Sequence, residues 1–179
     1  MAVESMVIGG GCFWCVEAAF NQVKGVQSAI SGYCGGQQKD ADYETVCSGD
    51  TGHVEVVKVT FDNSEISFTQ LLHLFFSVHD ATQVNRQGND IGTQYRSAIF
   101  YQNEQQKETA LAMITEFNQQ QLFDKDVVTS VEPAQPFYDA EDYHQGYYLK
   151  NPEKGYCMAV VAPKFQKFKQ QHAALLKDA

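Results

Sequence analysis

Gly9-Gly10-Gly11-Cys12-Phe13-Trp14-Cys15-Val16-Glu17 sets two cysteines around the only tryptophan of the chain, directly behind three glycines. A thiolate is a strong nucleophile, and glycines let backbone approach a ligand without a Cβ in the way. Phe13 and Trp14, flanking the thiol, could wall an apolar pocket for a substrate that carries no charge. A second chemical group lies at Glu55. In the run Glu55 to Phe61 a period of two puts Val57, Val59 and Phe61 on one face, and Glu55 shares it. A carboxyl buried there would hold its proton and serve as an acid; one at a frayed strand end would sit ionised in water. The pattern alone leaves both open.

Cys12 and Cys15 form a CxxC, which admits three chemistries. A dithiol oxidoreductase of the thioredoxin type carries CxxC where a helix follows a strand, but it explains neither the aromatic pair between the cysteines nor Glu55. A zinc module would draw on Cys12, Cys15, Cys34 and Cys47 or His53, yet Cys34 and Cys47 are far apart with no partner beside either. A thiol enzyme in which Cys12 attacks a small substrate accounts for all the residues.

The elements that must position these groups follow from the pattern. Met6-Val7-Ile8 predicts a buried strand, and Val16, Ala19, Phe20 and Val23 predict a helical stripe. The glycines therefore mark a strand-to-helix turn, with Cys12 in or just before the first helical turn. Unpaired amides and the helix dipole there favour an ionised thiol. A strand is expected over Val26 to Tyr33, ending at Cys34-Gly35-Gly36, and a polar connection over Gln37 to Gly52. Ser67 with Gln70 forms a capping box for a helix burying Phe68, Leu71, Leu72, Phe75 and Phe76. The polar segment Asp80 to Arg96 is long enough to be functional. Ser97 to Tyr101 reads as a strand. Asn103 and Gln106 open a helix burying Ala110, Ile114 and Phe117, and Val127 to Val131 reads as a strand ending before Pro133. A tyrosine-rich stretch follows, and a helix-prone tail from Lys164 to Lys177 is expected to pack on the outside. Loose alternation of helices and strands predicts an α+β domain over residues 1–179, a two-layer sandwich with helices against a mixed sheet.

At 179 residues the chain suits one domain, and a net charge of −9 argues against nucleic acid or anionic membrane partners. No apolar run approaches the ~20 residues that span a bilayer. The N-terminus has no secretory pattern, and five cysteines without one suit a reducing, cytoplasmic setting.

Further motifs complete the pattern: Gly32-Tyr33-Cys34-Gly35-Gly36, Val46-Cys47-Ser48-Gly49 running to Gly52-His53-Val54-Glu55, Asn85 to Asp90 with Gly92-Thr93-Gln94-Tyr95-Arg96-Ser97, Glu141-Asp142-Tyr143-His144-Gln145, and Asn151-Pro152 through Gly155-Tyr156-Cys157. Together with Gly11-Cys12-Phe13-Trp14 they make the chain resemble the A-type peptide methionine sulfoxide reductases over most of its length. The resemblance implies a ferredoxin-like core and reduction of methionine S-sulfoxide, free or in proteins. Cys12 would pass through a sulfenic acid to a disulfide that thioredoxin reduces. It implies no metal or organic cofactor, and a monomer is expected. By the same resemblance Phe13 and Trp14 hold the S-methyl group, Tyr33, Glu55 and Tyr95 surround the sulfoxide oxygen, Glu55 is the acid and Asp90 steadies the site. Tyr148 and Tyr156 line the pocket. Many relatives carry glycine at Cys15 and alanine at Cys34, and some have a further cysteine beyond Cys157. The resemblance nominates Cys157 as resolving thiol and is preferred, while local spacing nominates Cys15. Cys34 and Cys47 are expected to be structural.

Overall fold

The structure, a computed structural model, describes residues 2–177. β1 (Val3–Gly9), β2 (Val26–Cys34) and β3 (Val54–Asp62) form the middle of a six-stranded sheet with β6 (Ala98–Tyr101), β7 (Ser130–Pro133) and β8 (Phe137–Asp139). The strand order is β7-β6-β1-β3-β2-β8. All neighbours are antiparallel except β6 and β7, so the sheet is mixed. A separate hairpin, β4 (Arg86–Gln87) and β5 (Asp90–Ile91), stands in the long polar segment.

Alternation along the strands decides which face is packed. Met6, Ile8, Val57, Val59, Phe61 and Ile99 point into the main core, where α1 (Phe13–Phe20), α3 (Phe68–Val78) and α4 (Glu104–Gln119) cover them. The alternate residues Val7, Val54, Val56, Ala98 and Phe100 form a smaller cluster with Cys34 under Phe137. α3 carries its capping box: Ser67 Oγ accepts from the Gln70 amide at 3.0 Å, and the Ser67 amide donates to Gln70 Oε1 at 3.0 Å. Asn103 caps α4 in the same way, but Gln106 turns inward and its Nε2 donates to the Ser5 carbonyl of β1 at 2.9 Å.

Several boundaries differ from the pattern. The edge strand β7 begins at Ser130 and includes Pro133, because at the sheet's edge it needs no donor there. α4 buries Met113 where the periodicity suggested Ile114, which is only half-buried. The polar connection after β2 contains α2 (Tyr43–Val46), started by Asp42, whose Oδ1 accepts from the Thr45 amide at 2.9 Å. α5 (Tyr147–Lys150) follows the tyrosine-rich stretch, and a π-helical turn, Cys157–Val161, leads into α6 (Ala162–Gln171). The tail is α-helical to Gln171, and a single 3-10 turn, Ala173–Leu175, follows. Beyond it Leu176 pairs with Val23, and the Lys24 amide donates to the Leu175 carbonyl at 2.8 Å. Phe165, Phe168 and Leu176 are buried, so the tail completes the core beside α1.

Candidate active site

The nucleophile turn is built by close approach. Gly9, the last residue of β1, lies so near β3 that a Cβ on it would come within 2.8 Å of the Glu55 carbonyl. Gly11 has φ +86, and its amide donates to the Tyr95 carbonyl at 3.2 Å. Only glycine takes that conformation without strain, and a side chain would also meet Gln87. Cys12 is then the N-cap of α1, extended at φ −62 and ψ 126.

Glu55 settles on the buried side of the two possibilities. It is 2% exposed, and its Oε1 accepts from the Phe13 amide at 3.2 Å. Burial pushes its carboxyl up to about 8, against the pull of the Phe13 amide. The acid thus keeps its proton near neutrality, one residue's amide away from Cys12. β3 puts it there because Val57 and Val59 anchor the same face in the core.

The thiols differ from the expectation at the helix start. Burial, the Cys15 thiol and the Glu55 carboxyl together push the Cys12 thiol well up, outweighing the helix amides. Cys15 moves the other way: the hydrogen bond shared with Cys12 holds it down, helped by Lys164, while burial opposes. Of this pair Cys15 is therefore the more readily ionised. Cys157 is fully buried and joins Cys12, Cys15 and Val161 in one cluster. Burial and then the Cys15 charge raise its thiol.

Aromatic rings close around the sulfur. Phe13 is 5.7 Å from Tyr33 and 5.2 Å from His144, centroid to centroid. Trp14 stacks on Tyr147 at 3.9 Å and 10°, and meets Tyr156 edge-on at 5.7 Å. Its indole Nε1–H donates to His144 Nδ1 at 3.0 Å, which places the His144 proton on Nε2. The Tyr156 hydroxyl donates to Asp90 Oδ2. Tyr148 lies in the thiol cluster with its ring 5.4 Å from Phe165 of α6.

The tyrosines divide by role. Tyr33 is directly opposite Glu55 in the β2–β3 register, but its hydroxyl donates to Glu141 Oε1 at 2.8 Å. The other oxygen of Glu141 accepts from the Tyr43 amide at 3.0 Å, so Tyr33 anchors the start of α2 through that carboxylate. α2 in turn delivers Tyr43, a residue the sequence pattern gave no reason to choose. Burial raises the Tyr43 phenol, with Cys47 and Glu55 adding to the effect. Tyr95 is raised by burial and then by Glu55. The phenols that answer to the Glu55 carboxyl without another carboxylate binding their hydroxyl are thus Tyr43 and Tyr95. Cys47 is exposed beside Tyr43, not buried as a structural thiol would be.

The residues of the zinc reading do not converge. Cys34 lies in the cluster on the opposite sheet face, where burial pushes its thiol up to about 11. His53 accepts from the Gly36 amide at 3.1 Å through Nδ1 and donates to the Gln37 carbonyl at 2.8 Å through Nε2. Neither ring nitrogen is left for a metal.

A buried thiol at a helix cap, an acid poised near neutrality and a wall of rings define a thiol-dependent enzyme for a small uncharged group. A family model described as peptide methionine sulfoxide reductase matches residues 4–176. The peptide methionine sulfoxide reductase MsrA of Chromobacterium violaceum is 51% identical over 176 residues, 98% of this chain and 100% of that protein. Two solved structures share the fold. Reduced Mxr1 from Saccharomyces cerevisiae has a TM-score of 0.79 at 32% identity, covering 87% of this chain and 89% of that one. Methionine sulfoxide reductase A of Corynebacterium diphtheriae has 0.79 at 35% identity, covering 85% and 76%. The chain belongs to the A-type peptide methionine sulfoxide reductase family.

Proposed function

We propose that this protein reduces methionine S-sulfoxide, free or in proteins, by oxygen transfer to Cys12. The observation that carries the reading is the Glu55 carboxyl, buried, hydrogen-bonded to the Phe13 amide and pushed up to about 8. The inner strand order β6-β1-β3-β2, with α1 and α3 as crossovers, supports a ferredoxin-like description of the core that holds it.

The substrate's methyl group lies against Phe13 and Trp14, and Tyr43 and Tyr95 hydrogen-bond its oxygen. Tyr33 and Asp90 act one step back, Tyr33 through Glu141 and Asp90 through Tyr156. Tyr148 closes the side toward α6. The Cys12 sulfur attacks the sulfoxide sulfur as Glu55 gives its proton to oxygen; without that proton a bare oxide would have to leave. The thiol proton returns to the Glu55 carboxylate so formed. Oxygen passes to Cys12 as hydroxyl, methionine departs and Cys12 is left as a sulfenic acid.

Cys15 then displaces hydroxide from the Cys12 sulfur, forming the Cys12–Cys15 disulfide. Support comes from the thiol–thiol hydrogen bond and from the non-helical backbone of Cys12, which frees the pair from strict helical spacing. This reverses the preference for Cys157 as first resolver. Cys157, in the same cluster, then attacks Cys15 of that disulfide and releases the Cys12 thiol, leaving Cys15–Cys157. A dithiol reductant of the thioredoxin type regenerates the enzyme; one fold relative was crystallised as a complex titled Mxr1 with Trx2. The protein acts as a monomer in the cytoplasm and needs no cofactor.

Turnover of the two resolved sulfoxide epimers tests the reading. The S epimer alone is expected to be reduced, and Cys12→Ser to abolish reduction with the fold intact. Insulin reduction without sulfoxide turnover would instead mark a general dithiol oxidoreductase. Disulfide mapping after one turnover without reductant is expected to give Cys12–Cys15 early and Cys15–Cys157 late.

A further inference from the structure

Lys164 is the third residue of α6 and one helical turn beyond Val161, so the two share a face. Val161 packs with Cys12, Cys15 and Cys157, and that face therefore looks toward the thiols. Lys164 is half-buried and takes part in no ion pair among the described residues, where Arg96–Glu132 at 3.6 Å is the one pair. Its side chain lines a cavity of about 510 Å³ whose inner wall includes His79 and Gln87. His79 lies against Gly10 and Gln87 against Gly11, so the cavity backs the turn that carries Cys12. Asp80 and Asp124 line the same cavity without pairing with Lys164, and a partly buried ammonium held behind a pair of buried thiols stabilises whichever of them is ionised.

We infer that Lys164 is a positioning residue for the resolving step, keeping Cys15 as the thiolate that attacks oxidised Cys12. The inference rests on the reading of Cys15 as first resolver. The charges that act on Cys15 divide by sign. Asp90 on β5 and the Glu55 carboxyl on β3 oppose its ionisation when charged, Cys12 shares its proton, and Cys157 answers to its charge from the π-helical turn. Lys164 is the cation among them. Burial, helped by Lys164, lowers His79 to about 4, so His79 stays neutral and adds no competing charge. The step balances as Cys15 thiolate plus Cys12 sulfenic acid giving the disulfide and hydroxide, which a proton converts to water.

The experiment is a single turnover of the full chain with methionine S-sulfoxide, following methionine release and loss of free thiol separately. In Lys164→Met, methionine release is expected at the native rate. Thiol loss near neutrality should slow about threefold, because a thiol that ionises less readily loses thiolate but regains part of the rate in nucleophilicity. The pH profile of thiol loss should shift upward, and Lys164→Arg should restore both rate and profile. Lys164→Gln serves if Lys164→Met does not fold. Thiol loss with native rate and profile in the neutral variants, alongside a mapped Cys12–Cys15 disulfide, overturns the inference and leaves the resolver reading standing. Absence of that disulfide in the native protein overturns the resolver reading first.

Discussion

Replacing Glu55 by Gln tests the acid in two independent ways. The amide keeps an oxygen for the Phe13 N–H, now 3.2 Å from Oε1, and keeps the volume, so the turn is expected to survive. What disappears is the proton. In the native protein the carboxyl titrates near 8 against an ordinary value of 4.5. One unit below its midpoint about nine-tenths of molecules carry the proton, so the first step runs at its plateau and falls as pH rises through the midpoint. Glu55→Gln should lower the single-turnover rate of methionine formation by about 100-fold or more and abolish that descending limb. The same shift sets a stability slope. A carboxyl raised on folding binds more protons in the native state between 4.5 and 8, so native stability falls there by about 1.4 kcal/mol per pH unit, about 5 kcal/mol in all. Below 4.5 the group is protonated in both states and the penalty is absent. Cys12, also raised, adds a slope only above the ordinary thiol range. Urea unfolding of the two proteins across this window should therefore show Glu55→Gln gaining on the native protein as pH rises. Parallel stability curves, or an unchanged first-step rate, would refute a buried protonated Glu55.

The two tyrosines separate by their hydroxyls. Tyr43→Phe should slow methionine release about tenfold with little change in stability, whereas Tyr33→Phe should spare the rate but cost about 1.5–3 kcal/mol through its lost bond to Glu141; equal effects on the rate would undo that division. Gly11→Ala should cost about 1–2 kcal/mol from φ +86 alone, measured by denaturant unfolding. It should also lower turnover about 100-fold, because Gln87 must shift and Cys12 moves with the turn; a native rate would show that the turn tolerates a side chain.

Much of this arrangement was written in short-range pattern. The glycine turn, the capping box at Ser67, the cap at Asn103, and the face shared by Glu55 with Val57 and Val59 are each local signals. The thiol balance was not legible, because helix-start electrostatics is local whereas the burial that overrides it comes from α5, α6 and the π-helical turn. Tyr33 could be taken for a substrate residue because it sits beside Glu55 in register. Only Glu141, 108 residues away, reveals where its hydroxyl goes. Tyr43 was hidden in a polar stretch, and the signal for it was Asp42 with Thr45, a cap for a helix too short to show a period.

Burial raises both the acid and the nucleophile, and this fits the substrate's own chemistry. A sulfoxide is dipolar but uncharged, so a resting site with Glu55 protonated and Cys12 as thiol presents no net charge to be desolvated when the substrate enters. Of the two thiols Cys15 ionises the more readily, and in the proposed course it acts only after methionine has left. Had the helix start won and ionised Cys12 beside Glu55, the carboxyl would have been driven further up and would donate its proton less readily. On the proposed course the site thus trades a more nucleophilic first thiol for a better acid and keeps its more readily ionised thiol for the second step.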